Sequence, residues 1–140
     1  MKFMILLQGN ADTEAGVMPS TELLTAMGAY NEALADAGVI KAGEGLQPTA
    51  KGARVYFDGE GRTAKKGPFP TDRLVSGFWI WECASLDEAI AWALKSPTGL
   101  GSDDVLTIHP MTEASDLPPE MVKIIMDAAP TWSTAWRKPR

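Results

Sequence analysis

Residues 74–82 read Leu-Val-Ser-Gly-Phe-Trp-Ile-Trp-Glu, and shortly after them the chain continues Ser85-Leu86-Asp87-Glu88. The first run has the composition of a strand, and Phe78-Trp79-Ile80-Trp81 places bulky apolar groups on both of its alternating faces. The second is a capping box: the Ser85 hydroxyl and the Glu88 carboxylate satisfy reciprocal backbone donors at a helix start. The helix predicted from it buries Leu86, Ile90, Ala93 and Leu94 and breaks at Pro97 and Gly99.

Working outward, residues 2–8 form a nearly continuous apolar run stopped by Gly9-Asn10, which predicts a buried strand. Pro19-Ser20 opens a helix in which Leu23, Met27, Tyr30 and Leu34 share one face, and Gly38 ends it. Residues 39–46 predict a strand running into Gly43-Glu44-Gly45. Arg54 to Phe57 predicts another, turned by Asp58-Gly59 into a hairpin partner over 61–66. Val105 to His109 reads as the last strand. Pro119 opens a further helix carrying Met121, Ile124, Ile125 and Ala128, which Pro130 closes, and Trp132, Trp136 and three basic residues follow as a tail.

This order predicts an α+β domain of the ferredoxin-like βαββαβ kind, with an inserted β-hairpin and an extra C-terminal helix. A length of 140 residues suits a single domain over 1–140, with a core of about 1–111 and the C-terminal helix and tail over 112–140. Two helices cover one face of such a sheet, yet the first and central strands are apolar on both. The appended helix could cover part of the second face. A large exposed patch is unusual in a soluble monomer, so sheet-to-sheet packing in a homodimer is expected, with a small-ligand cleft between the sheets.

Composition narrows the function classes. A net charge of −5 repels phosphate backbones, so no nucleic-acid partner is expected unless a local basic patch overrides it. One Cys and one His exclude the usual four-ligand zinc sets, Asp103-Asp104 lacks a calcium-loop pattern, and neither a metal nor a cofactor is expected. Gly43-Glu44-Gly45 and Gly99-Leu100-Gly101 lack the strand-glycine-helix setting of a dinucleotide site. No apolar run approaches ~18 residues, so no membrane partner is expected and the protein is read as cytoplasmic.

Gly67-Pro68-Phe69, the 74–80 strand and Leu86-Asp87-Glu88-Ala89 resemble the YCII-related proteins that carry a D-G-P-F motif. The likeness runs from the first strand through Gly38, Gly43-Glu44-Gly45-Leu46 and Pro48 to Ile108-His109-Pro110. It implies a ferredoxin-like dimer related to the dimeric α/β barrels, a family mostly without demonstrated activity, some of whose distant relatives act on small ring compounds as lyases or isomerases. The chain departs from the pattern in three places. Lys66 stands where the motif usually has Asp, Pro70-Thr71-Asp72-Arg73 is shorter by one than the usual stretch, and Met27 and Tyr30 occupy the helix that in relatives carries a His.

Candidate catalytic residues are Asp72, His109 and Glu44; candidate ligand-binding residues are Arg73, Phe69, Phe78, Ile80 and Glu82. Arg73 could orient an anion by bidentate contacts while Asp72 accepts a proton, or the two are a surface ion pair. His109 suits proton transfer near neutrality, although a polar residue ending an edge strand is the commoner role. Glu44 is either a carboxylate admitted to a ligand by flanking glycines or a turn residue. Phe69, with Phe78, Ile80 and Glu82, lines the cleft if Trp79, Trp81 and Cys83 face the helices. Cys83 is read as a small buried hydrophobe and not a nucleophile.

The expected function is therefore binding of a small organic molecule in a dimer cleft, with cofactor-free acid/base chemistry of the lyase or isomerase type. The alternative is a non-catalytic regulatory or interaction module. Family relatives encoded beside, or fused to, extracytoplasmic-function sigma factors favour it, and the Trp132/Trp136 tail would be its contact.

Overall fold

The computed structural model of the chain describes residues 1–97 and 104–136, with side chains as far as 134. The expected helix break at Gly99, the Gly99/Gly101 pair, Asp103, the Trp136 side chain and the tail cations Arg137, Lys138 and Arg140 lie outside the described residues. The elements run β1 (Lys2–Gln8), α1 (Ala11–Glu14), α2 (Thr21–Asp36), β2 (Ile40–Gly45), β3 (Ala53–Asp58), β4 (Gly61–Lys66), β5 (Val75–Glu82), α3 (Leu86–Ala93), β6 (Leu106–Pro110), α4 (Pro119–Ala128) and α5 (Pro130–Trp136), with 3₁₀ turns at Thr49–Lys51 and Ala114–Asp116.

Four strands form one antiparallel sheet in the order β2-β5-β1-β6, while β3 and β4 form a separate two-stranded ribbon inserted between β2 and β5. This is the ferredoxin-like arrangement. The chain divides into two compact units, Met1–Pro110 and Met111–Arg140. The first holds the sheet, the ribbon and α1 to α3. The second holds α4 and α5, where Ser133 is buried.

The period of two decides the core. Phe3 and Ile5 of β1 and Trp79 and Trp81 of β5 point to one face, where Tyr30 and Leu34 of α2, Ala89 of α3, Val39 and Cys83 join them. Met4, Leu6, Phe78 and Ile80 point to the other face and are half-buried, and none is among the strongly exposed large apolar side chains. The ribbon carries exposed apolar side chains of its own, Val55, Tyr56 and Phe57.

Helix ends follow their caps. Ser20 accepts from the Leu23 N–H and Ser85 from the Glu88 N–H, each satisfying a donor that the helix leaves open. The Glu88 carboxylate takes the Ala84 N–H at 2.6 Å instead of closing the expected reciprocal box on Ser85. Between β1 and α2, Asn10 caps the short α1, whose four residues carry no apolar periodicity to announce them.

Two expectations need correction. Of the predicted buried stripe on α3, Leu86, Ile90 and Leu94 are exposed, Leu94 by 82%. The helix instead buries Ala89 and packs Trp92 and Ala93 on the core, because the small Ala89 lets it sit close to a sheet already filled by two indoles. Pro130 ends α4 but also begins α5, since a proline is as well suited to a first helical position as to a stop; the tail is helical through Trp136.

Tyr30 fastens α2 to α3. Its hydroxyl donates to the Trp92 carbonyl at 2.6 Å, and its ring meets Trp79 edge-on at 5.8 Å. Burial, with a smaller contribution from Cys83, pushes the hydroxyl up to about 12. Ionisation is therefore easier in the unfolded chain, where tyrosine titrates near ~10. The stabilisation is complete below that pH and is lost as pH rises toward about 12. Urea midpoints measured against pH are expected to fall through this window, and Tyr30→Phe is expected to flatten the fall while costing ~1 kcal/mol at neutral pH through the abandoned Trp92 carbonyl. An unchanged alkaline slope in the variant would refute the assignment.

Candidate functional site

The β2 sequence Ile-Lys-Ala-Gly-Glu-Gly is poor in strand formers, and its glycines shape the site. Gly43 and Gly45 share the helix-facing side of the strand. Gly43 pairs with Trp79, Gly45 with Gly77, and Gly77 with Leu7. A Cβ at Gly43 would stand 2.6 Å from Trp79 Cδ1, so here the missing side chain is replaced by an indole lying against the backbone. A Cβ at Gly45 would meet nothing within 4 Å. One row of the inner face is thus filled by tryptophan, and the next, Gly45-Gly77, is bare.

Over the bare row lie two recesses that share Leu7, Pro19, Met27 and Gly45. The larger, about 860 Å³, is bordered by the 13–19 loop, Met27, Asn31, residues 43–48, Lys51 and residues 76–79. The smaller, about 630 Å³, runs between the helices along Leu23, Leu24, Ile90, Ala93, Leu94, Val105, Leu106 and Ile108. Ile90 and Leu94, exposed from α3, are wall residues of this recess. Either volume is of the size that small-molecule sites occupy.

The roof is held at a fixed height. Trp79 Nε1 donates to Asn31 Oδ1 at 3.0 Å, so the indole that fills the Gly43 gap also grips α2. The loop wall is tied by Glu14, whose carboxylate accepts from both the Thr49 N–H and the Thr49 hydroxyl, and the Phe69 N–H donates to Thr49 Oγ1 at 3.0 Å. Charge is sparse around the space: Glu44 and Lys51 border the larger recess and Asp104 the smaller.

Of the residues singled out in the sequence, Glu44 and Phe78 border the larger recess. Glu44 belongs to a strand and not to a turn. Ile80 and Glu82 stand on the opposite sheet face with Phe78, and Glu82 Oε1 lies 3.6 Å from the chain's N-terminal ammonium. His109 is exposed on β6 opposite Met4, whereas Glu44 stands opposite Phe78 on β2. With three strand spacings between β2 and β6, the two are roughly 15 Å apart and do not form one cluster. Asp72 and Arg73 are exposed in the turn before β5, Arg73 with φ +63°, and neither borders the recesses. Phe69 is half-buried under the Arg54 guanidinium, which sits 4.1 Å from its ring. Burial, with Glu88 next in size, raises the Cys83 thiol, which is buried and unsuited to nucleophilic work.

Sequence reasoning missed Met27 as roof, Lys51 as the cation at the wall and Gly45-Gly77 as floor. The available signal was the alternation Gly43-x-Gly45, which removes two side chains from a single face. Among the described residues no three His, Cys, Asp or Glu gather to hold a metal, and no helix is long and apolar enough to cross a membrane. A family model described as YCII-related domain matches residues 1–112. No curated protein matches the chain.

The two glycines predict opposite mutational behaviour two residues apart. Gly43→Ala drives its methyl into Trp79 and is expected to lower unfolding free energy by ~1–3 kcal/mol. Gly45→Ala enters open space and is expected to be neutral or stabilising, as removing backbone freedom from the unfolded chain usually is. Denaturant titration checks both, and equal losses would mean the bare row is not bare.

Proposed function

We propose that this chain, which belongs to the YCII-related domain family, binds a small, largely apolar organic molecule over the Gly45-Gly77 row, beneath Met27. The observation that carries this reading is the pair of glycines that leaves sheet area uncovered in a core otherwise filled by Trp79 and Trp81. Lining side chains such as Leu7, Leu23, Met27 and Ile108 favour an apolar ring or chain, because each contact removes hydrocarbon surface from water. Lys51 would hold an anionic substituent at the wall.

Any chemistry at this site is cofactor-free proton transfer of the isomerase or lyase type. Glu44 alternates to the sheet face opposite the Gly45-Gly77 floor, together with Phe78, so no base is assigned to that step. His109, Asp72 and Arg73 stand apart from the recesses and have no part in that step. A cytoplasmic setting fits a lone, buried, free thiol. The second reading, a non-catalytic interaction module, is favoured by the exposed ribbon.

Thermal-shift screening against small cyclic carboxylic acids and lactones tests the proposal. A ligand present at ~100 times its Kd stabilises by ~2.7 kcal/mol, a rise of several degrees in Tm. Gly45→Leu fills the space over the floor and is expected to abolish the shift while leaving the unliganded Tm within a few degrees. No stabilisation by any panel member, or equal stabilisation of Gly45→Leu, overturns the site.

A further inference from the structure

The Gly45-Gly77 floor does not stop at β5. Gly77 stands opposite Leu7 on β1, and Leu7 opposite Leu106 on β6, so one cross-strand row, Gly45-Gly77-Leu7-Leu106, runs the full width of the sheet on its helix side. Three strand spacings make that row ~14 Å long. The larger recess borders its Gly45-Gly77 end and the smaller its Leu106 end, and the two meet at Leu7, Gly45 and Met27. Together they are one trough lying across the strands.

The trough is polarised. Lys51 borders the larger recess, and among the described residues it is the only cation bordering either one. No carboxylate among the described residues pairs with it. Its backbone is anchored, because Glu14 holds Thr49 at the start of the same 3₁₀ turn. Glu44, on the nearby strand, belongs to the opposite sheet face. The charged side chain bordering the smaller recess is Asp104, which repels an anion, and the walls are largely hydrocarbon, Leu23, Ala93 and Ile108 among them. Leu24, Ile90, Leu94 and Val105 are all exposed and all border this smaller recess. Such residues scattered singly need no explanation, whereas a group of them around one opening marks a binding groove.

We propose that the trough takes an unbranched amphipathic carboxylate, a medium-chain fatty acid, lying across the strands. Its carboxylate meets the Lys51 ammonium, and its alkyl chain follows Gly45, Gly77, Leu7 and Leu106 to end beside Ile90 and Leu94. This names the ligand class of the site proposed above and rests on that reading. A row of ~14 Å matches an extended chain of roughly ten carbons joined by single bonds of ~1.5 Å. A compact ring reaches Lys51 or the Leu106 end, but not both.

Isothermal titration calorimetry of the full chain with straight-chain acids from hexanoic to tetradecanoic, below their micellar concentrations, tests the inference. Kd is expected to fall ~threefold per added methylene up to decanoic acid and to level off beyond dodecanoic acid, where the chain passes the rim. Ile90→Asp, at an exposed position, is expected to weaken decanoic acid at least ~tenfold while leaving hexanoic acid and a small cyclic acid unchanged. Lys51→Glu is expected to weaken decanoic acid at least ~tenfold and methyl decanoate hardly at all. Thermal melts of the unliganded variants within a few degrees of wild type separate these losses from unfolding. An affinity independent of chain length, an Ile90→Asp loss equal for hexanoic and decanoic acids, or methyl decanoate binding the wild type as tightly as the acid overturns the inference. The site itself still stands in those cases if cyclic acids bind and Gly45→Leu blocks them. Binding by neither fatty nor cyclic acids overturns both.

Discussion

The Trp79 indole, seated over Gly43, is the contact on which the rest of unit Met1–Pro110 depends. It fills a space where a methyl group could not fit and donates to Asn31 of α2. It also meets Tyr30 edge-on and lies 5.6 Å from Trp81, while the Tyr30 hydroxyl reaches α3 through the Trp92 carbonyl. One side chain of a central strand thus sets the height of one helix directly and of the other through a single phenol. Aromatic pairs of this kind add ~0.5–1.5 kcal/mol each beyond the area they bury, so the helices are fixed where the tryptophans are. Beyond Trp79, where the sheet presents only Gly45 and Gly77, nothing draws the roof down. A rigid support beside an unfilled row is a physical recipe for a permanent recess in a close-packed protein.

The same principle separates the two faces of the sheet. Trp81 is fully buried, yet its Nε1 finds no acceptor among the described residues, a cost of ~1–3 kcal/mol that the core carries in exchange for the volume of the ring. Phe78 and Ile80, one residue out of phase with the tryptophans, are only half-buried. The wall of the larger recess and the root of the ribbon are built from one short stretch: Lys51 borders the recess, and Gly52 accepts the Gly67 N–H at the base of the ribbon.

The order of elements along the chain, the buried face of α2 and the hairpin were legible because each rests on a local pattern. Period-two alternation put Trp79, Trp81 and Cys83 on one face, which packing then shows to be the helix side, and Asp58-Gly59 marked the turn between β3 and β4. The phase of α3 was not legible. Leu86, Ile90 and Leu94 look like a buried stripe in isolation, and only the volume of Trp79 and Trp81 beneath the helix makes Ala89 the residue that fits. Half of the site was hidden for the same reason. Glu44 and Phe78 announce themselves as side chains but face away from the floor, which is made of side chains that are absent, and a glycine in a sequence reads first as a turn. His109, Asp72 and Arg73 drew attention by chemical type, but which residues meet is decided by register and strand order, and these hold His109 away from Glu44.

At the base of the ribbon a Cβ on Gly67 would stand 1.8 Å from the Thr49 carbonyl oxygen. Sequence drift there is consequently governed by a neighbour far along the chain. Residues facing outward on β3 and β4 are exposed and free to vary without disturbing the domain that carries them. Position 67 cannot acquire any side chain unless the backbone of the 49–52 turn moves first, and that turn also walls the recess.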